Sequence, residues 1–181
     1  MNRSEDAGTP EDLPIFVIQK HDATTLHYDF RLEAGGVLKS WAVPKGPSAD
    51  PKEKRLAIPT EDHPLDYADF EGVIPEGRYG AGTVMIWDQG VYRNLTRKDG
   101  REIPVAGALK QGHVSFWLEG EKVRGGYALT RFRTGKKGEA WLLVKMDDAE
   151  AAPGRNLVAT EMRSVVSGRT IEEIAAGGEP G

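Results

Sequence analysis

The chain has 181 residues, no cysteine and a net charge of −4. That length suits one domain with its own core, and the lack of cysteine excludes disulfides, thiolate metal sites and cysteine nucleophiles. No apolar run is long enough to span a membrane, and the acidic sum speaks against a bulk nucleic-acid coat protein, so the expectation is a soluble cytoplasmic protein with no membrane partner.

Residues 1–14 are polar and acidic (Glu5, Asp6, Glu11, Asp12), show no signal-peptide apolar stretch, and are expected to form a disordered tail. Short apolar runs follow at 16–18, 28–32, 41–43, 56–58, 83–87, 114–118, 127–132 and 140–144, each flanked by Gly, Pro, Asp or Asn. Many short strands with turn chemistry between them predict a mainly β fold over residues 15–148. The expected form is a closed or nearly closed β-barrel, or a sandwich. Glu119-Gly120-Glu121 and Gly125-Gly126 read as tight turns. Residues 149–181 read as a loop, a short helix and a flexible tail. In the helix, Thr170 is the N-cap of a capping box with Glu173, and Gly177 stops it.

The chemistry concentrates in the second run. Along a strand, side chains alternate faces, so His27, Asp29 and Arg31 share one face and Tyr28, Phe30 and Leu32 the other. The first face carries two potential metal ligands and a planar cation whose fork matches phosphate oxygens. Imidazole with carboxylate suits Mn, Fe or Zn. His21 precedes a four-residue loop that can bring it back beside His27. Two histidines and one aspartate leave coordination positions open, as a catalytic metal needs. The polar stretch Glu61-Asp62-His63-Pro64-Leu65-Asp66-Tyr67 is a further candidate for acid–base groups. His113 has no polar constellation near it and reads as structural. Lys45, Lys52 and Lys54, and later Arg93, Arg97, Lys98 and Arg101, leave room for a local basic surface on an acidic protein.

His21-Asp22-Ala23-Thr24-Thr25-Leu26-His27-Tyr28-Asp29-Phe30-Arg31-Leu32-Glu33 resembles the signature of the 3′-phosphoesterase domain of bacterial and archaeal DNA ligase D and its stand-alone relatives. The stretches Lys39–Pro47, Arg55–Ala57, Glu61–Tyr67 and Phe70–Gly82 are similar to that family as well, so the likeness runs from about Phe16 to Lys145. What it implies is a compact β-barrel with short flanking helices, acting on DNA primer-template 3′ ends, including RNA-tipped DNA, in non-homologous end joining. A phosphodiesterase step would remove a terminal ribonucleoside, and a phosphomonoesterase step would clear the remaining 3′-phosphate to a 3′-OH. The likeness implies manganese, or another divalent ion, on His21, His27 and Asp29. It implies phosphate contacts from Arg31, His63 and Tyr67, with His63 as imidazolium donating to a phosphate oxygen or protonating a leaving one, accessory cations Lys45 and Arg55, and supporting groups Gln19, Glu61 and Asp62. Ligase and polymerase modules would act in cis or in trans, in a prokaryotic cytoplasm beside the nucleoid. Ser167–Ala175 looks like the linker into a ligase module. With no Ser or Cys placed as an obvious nucleophile, attack by water is the default.

Two other readings use the same residues. A non-haem Fe(II) oxygenase would take His27, Asp29 and either His63 or His113, but Arg31 on the same face suits a phosphate. A non-catalytic nucleic-acid-binding barrel would expose aromatics for base stacking, whereas Trp41, Trp87, Trp117 and Trp141 fall inside apolar strand runs. For a DNA substrate, the acidic sum predicts few phosphate contacts and a shallow salt dependence of binding. The slope of log K against log salt should be well short of the value near −10 typical of many-contact proteins, measured by equilibrium titration across salt.

Overall fold

The computed structural model describes residues 13–177. Eight antiparallel strands close a barrel: β1 (Ile15–Asp22), β2 (Leu26–Ala34), β3 (Val37–Val43), β4 (Lys54–His63), β6 (Gly82–Asn94), β9 (His113–Glu119), β10 (Arg124–Arg133) and β11 (Ala140–Lys145). Their order is β1-β2-β3-β4-β11-β10-β9-β6, and β6 pairs back onto β1 to seal the wall. A short strand, β5 (Gly72–Ile74), adds to β6, and β7 (Arg97–Lys98) with β8 (Arg101–Glu102) forms a separate ladder. Every apolar run read from the sequence lies on one of the barrel strands.

Alternation explains the layers. Phe16 and Ile18, Tyr28, Phe30 and Leu32, Trp41 and Val43, Phe116 and Leu118, and Trp141 and Leu143 point inward and fill the barrel. Aromatic contacts tie them together, with Phe30 stacked on Phe116 at 5.7 Å and Trp41 edge-on to Trp141 at 5.8 Å. Trp41, Trp87 and Trp141 are buried, whereas Trp117 is half-buried. Outward-facing Val17, Leu38 and Ile86 form a smaller cluster with Ala68. Ala68 belongs to a 3-10 helix at Leu65–Asp69, which lies over the outer surface of the wall.

Several local expectations change. Gly125-Gly126 is not a turn but the start of β10, paired with Leu118 and Trp117. A Cβ at Gly125 would press on the Lys145 amine, so glycine there reflects close packing. An unexpected helix, α1 (Val105–Gln111), begins after Pro104 and ends at Gly112, whose φ of 89° is left-handed. A one-turn helix, α2 (Leu157–Thr160), precedes the capped helix α3 (Ile171–Ala175). The capping box of α3 is formed in both directions. The stretch that looks like a linker is packed down: Ile171 and Ile174 enter the core, and Ser167 Oγ donates to Glu71 at 2.5 Å. Of the expected tails, residues 1–12 and 178–181 lie outside the described residues, while Leu13 and Pro14 are placed, Pro14 accepting a bond from Tyr92 N.

The turn at Gly120–Val123 does form, and a buried carboxylate organises it. Asp88 on β6 accepts from the backbone N–H groups of Glu121, Lys122 and Val123 at 2.8–2.9 Å. Gly120 is needed because a Cβ there would strike that carboxylate and the Phe16 ring. Asp88→Ala leaves these three donors and Gln89 N without their acceptor, at about 1–3 kcal/mol for each that stays buried and unmade. The expected loss is about 3 kcal/mol or more in urea unfolding, with Asp88→Asn losing less because one acceptor oxygen remains.

Candidate metal centre

The β1–β2 hairpin builds the centre. In register, His21 lies opposite His27 and Gln19 opposite Asp29, so odd-numbered positions of both strands present their side chains to the outside of the wall. That outside is not solvent: Gln19, His21, Asp29 and Arg31 are all buried, because the 3-10 helix and the turn at Gly77–Gly80 cover them.

Asp29 sits at the middle. Its Oδ1 is 3.1 Å from His27 Nε2, and its Oδ2 is 3.4 Å from both His21 Nδ1 and Arg31 Nη2. Burial opposes ionisation of this carboxyl. Hydrogen bonds from His21 and His27 and the Arg31 charge outweigh it and hold Asp29 well below the usual carboxylate range. The same bond to Asp29 raises His27. The far ring nitrogens are held by backbone carbonyls. His21 Nε2 lies 2.9 Å from Gly80 O, and His27 Nδ1 lies 3.3 Å from Thr25 O. A ring that gives its far N–H to a carbonyl keeps a lone pair on the nitrogen beside Asp29 once the proton shared with Asp29 is displaced.

One donor atom each from His21, His27 and Asp29 falls within 4.8 Å of the others. Two oriented imidazoles, an ionised carboxylate and outer hydrogen bonds to the rings fit a divalent ion. This donor set alone suits Mn, Fe(II) and Zn alike. An oxygenase triad through His63 or His113 is not assembled. His63 contacts Arg31, and His113 is exposed on β9, bonded to Thr130 Oγ1 and Ser115 Oγ.

Arg31 is fixed on three sides. Nε donates to Gln19 Oε1 at 2.7 Å, Nη1 to Ser40 Oγ at 2.8 Å, and Nη2 approaches Asp29. The Tyr67 ring covers the guanidinium at 5.1 Å. His63 Nδ1 lies 2.9 Å from Glu61 O and 3.1 Å from Arg31 Nη1, two demands one nitrogen cannot meet together. If the shorter contact prevails, Nδ1 carries the proton and donates to Glu61 O. Arg31 then keeps one N–H uncommitted on each terminal nitrogen, the pair a bidentate anion contact needs. Burial, then the Arg31 charge, lowers the His63 pKa. That direction favours the neutral ring over the imidazolium expected from the sequence.

The remaining expected residues are only partly drawn in. Gln19 also donates to Tyr67 O and Phe70 O, tying the cover to the wall. Tyr67 stacks on Phe70 at 5.4 Å. Glu61 contributes through its carbonyl, and exposed Asp62 pairs with Lys39 at 2.9 Å. Two cations are not brought to the cluster. Lys45 is exposed in the turn after β3, at the end of the sheet where β2 begins. Arg55 lies in register with core-facing Leu143, so it shares the face opposite Asp29, and it approaches Glu53 at 3.6 Å. Sequence reasoning missed Ser40 and the Gly80 carbonyl. Ser40 lies opposite Arg31 in β3, a pairing that no local pattern announces.

Comparison with known proteins agrees with this geometry. Residues 19–131 match the model of the DNA Ligase D 3′-phosphoesterase domain. The chain is 52% identical over 158 residues to the multifunctional non-homologous end joining protein LigD of Pseudomonas aeruginosa, covering 86% of this chain and 18% of that relative. It is 46% identical over 151 residues to the multifunctional non-homologous end joining DNA repair protein LigD of Mycobacterium tuberculosis (strain H37Rv), covering 77% and 18%. It is 46% identical over 137 residues to the LigD protein of Mycolicibacterium smegmatis, covering 76% and 17%. The chain thus spans less than a fifth of the length of these relatives.

A metal must displace a proton from His27. Its raised pKa lies above the ordinary value near 6.5, so metal affinity should fall as pH drops through that raised value. Calorimetric titration between about pH 5.5 and 8 checks this. Asp29→Ala should return His27 toward or below its ordinary value, seen by NMR titration of the metal-free protein.

Proposed function

Because the chain belongs to the DNA ligase D 3′-phosphoesterase family, we propose that it hydrolyses phosphate esters at the 3′ ends of DNA during non-homologous end joining. The substrates are primer-template 3′ ends, including RNA-tipped DNA. A terminal ribonucleoside leaves first, by diester hydrolysis, and the remaining 3′-phosphate is then removed to give a 3′-OH. The ion is manganese or another divalent metal, held by His21, His27 and Asp29. Ligase and polymerase modules work with the domain in cis or in trans, in the cytoplasm beside the nucleoid.

The observation that carries this reading is Arg31 fixed beside an ionised, metal-suited carboxylate. A cation clamped there serves an anionic substrate, and dioxygen has no use for it. The ion, when bound, supplies positive charge to the phosphate oxygens and acidifies bound water. Arg31 orients the phosphate with its two outer N–H groups and neutralises charge as it shifts onto the oxygens. Gln19 and Ser40 hold the guanidinium, so little reorganisation accompanies the reaction. Neutral His63 offers its Nε2 lone pair for the proton of the attacking water. Tyr67 walls the site and limits water around Arg31. Lys45 lies outside the cluster, near the His27 end of the sheet, and its proposed role is to add positive charge for a monoester. Arg55, on the opposite face beside Glu53, supports the barrel end.

The deciding assay uses a primer-template ending in one ribonucleotide, with and without manganese, reading 3′-end length and phosphate state. His21→Ala, His27→Ala and Asp29→Ala should each abolish both steps with the fold intact. Arg31→Ala should slow both by about one to two powers of ten, from a charge-assisted contact worth roughly 1.5–3 kcal/mol. Lys45→Ala should slow 3′-phosphate removal more than ribonucleoside removal, so that 3′-phosphate ends accumulate. Wild-type rates in Arg31→Ala would remove the phosphate clamp from the scheme.

A further inference from the structure

A cavity of about 300 Å³ opens on the far side of β4 from the metal centre, between the β3–β4 edge, α1 and the β10–β11 hairpin. Its volume is at the lower end of small-molecule sites, about 300–1,000 Å³. Trp41 and Trp141 line it, edge to face. Trp41 Nε1 is buried without a hydrogen-bond partner, an uncommitted donor in a wall where such groups are costly. Three cations, Lys39, Lys110 and Arg131, stand around the cavity against two carboxylates, Asp62 and Glu139. Both carboxylates are engaged, Asp62 by Lys39 and Glu139 by Trp141 Nε1. Arg131 lies 5.7 Å over the Trp141 ring. Both indoles are buried and form an apolar floor with no free stacking face; with one surplus positive charge at the rim, on a protein whose net charge is −4, the cavity suits a flat ring joined to a phosphate.

The cavity adjoins the centre through two residues. Ser40 lines it and also accepts the hydrogen bond from Arg31 Nη1. Asp62 lines it, while its neighbour His63 reaches Arg31. We propose that this cavity receives the base of the nucleoside whose 3′-oxygen bears the phosphate, the nucleoside common to both steps. The proposal rests on the phosphoesterase reading and adds a base-binding subsite to it. A phosphate on Arg31 and a base beside Trp141 are then parts of one nucleotide bent over the β4 edge, with Lys110 and Arg131 close to the phosphate on its 5′ side.

Binding without turnover tests this. Oligonucleotides with a 3′-phosphate, with or without a base on the terminal sugar, are titrated in EDTA against tryptophan fluorescence. Loss of the base should weaken binding about tenfold. Ala106 is exposed on α1 and lines the cavity, so Ala106→Trp should fill it. That variant should bind both ligands with the affinity of the baseless one. Lys110→Gln leaves the cavity open and should reduce the salt slope by about 0.7, one single-strand phosphate contact. Equal affinity for the two ligands, or wild-type discrimination in a folded Ala106→Trp, overturns the subsite. Phosphate release with manganese, followed in parallel, judges the esterase separately. Base-dependent binding without release would sink the esterase and support the subsite, and release with base-independent binding would sink the subsite alone.

Discussion

Asp29 is a carboxylate on the outside of a barrel wall that is nevertheless buried, and the surroundings are arranged to keep it charged. A buried anion is tolerated only with partners, and here they come from three directions: His27 on its own strand, His21 across the hairpin, and Arg31 two residues along. Arg31, also buried, needs partners in turn, which recruits Gln19 and Ser40. Each added group is the answer to an electrostatic demand of the previous one, so the cluster behaves as a unit. Removing one member leaves another charge exposed to a poor environment.

The cover over this face does two jobs. Gln19 binds Arg31 with its oxygen and the 3-10 helix with its nitrogen, donating to Tyr67 O and Phe70 O. One amide therefore fixes the distance between floor and roof. The Gly80 carbonyl does the same for His21 at the other side. The site is dry enough to strengthen its charges while its ligands sit on strands, whose positions are more exact than those of loops.

How much of this could be read from the sequence follows the range of the interactions. The strand runs and the α3 capping box are local patterns, and they emerged where expected. The shared face of His27, Asp29 and Arg31 follows from a period of two. Return of His21 beside His27 follows from a short loop. Burial of that face was not legible, because the covering helix comes from residues 65–69, far along the chain. Ser40 was invisible for the same reason, being defined by β2–β3 register. Arg55 shows the converse error: its sequence neighbourhood is shared with the site, but alternation on β4 turns it to the other face. The charge state of His63 depended on the Arg31 guanidinium and on burial, neither of which a residue's own neighbours reveal. Gly125-Gly126 misled because glycine marks close packing as readily as turns.

All three candidate metal donors and both arms of the Arg31 support that lie nearest in sequence, Gln19 and Asp29, belong to a single hairpin. His21 and Asp29 are eight positions apart, with His27 between them. An unfolded chain already keeps such donors near one another, so it retains part of the affinity that the folded hairpin has. Stabilisation by a ligand depends on how much better it binds the folded state. A metal ion will therefore raise the unfolding free energy by less than its affinity for the native site implies. Barrel closure, which joins residues 15–22 to 83–91, must be driven by the apolar interior instead.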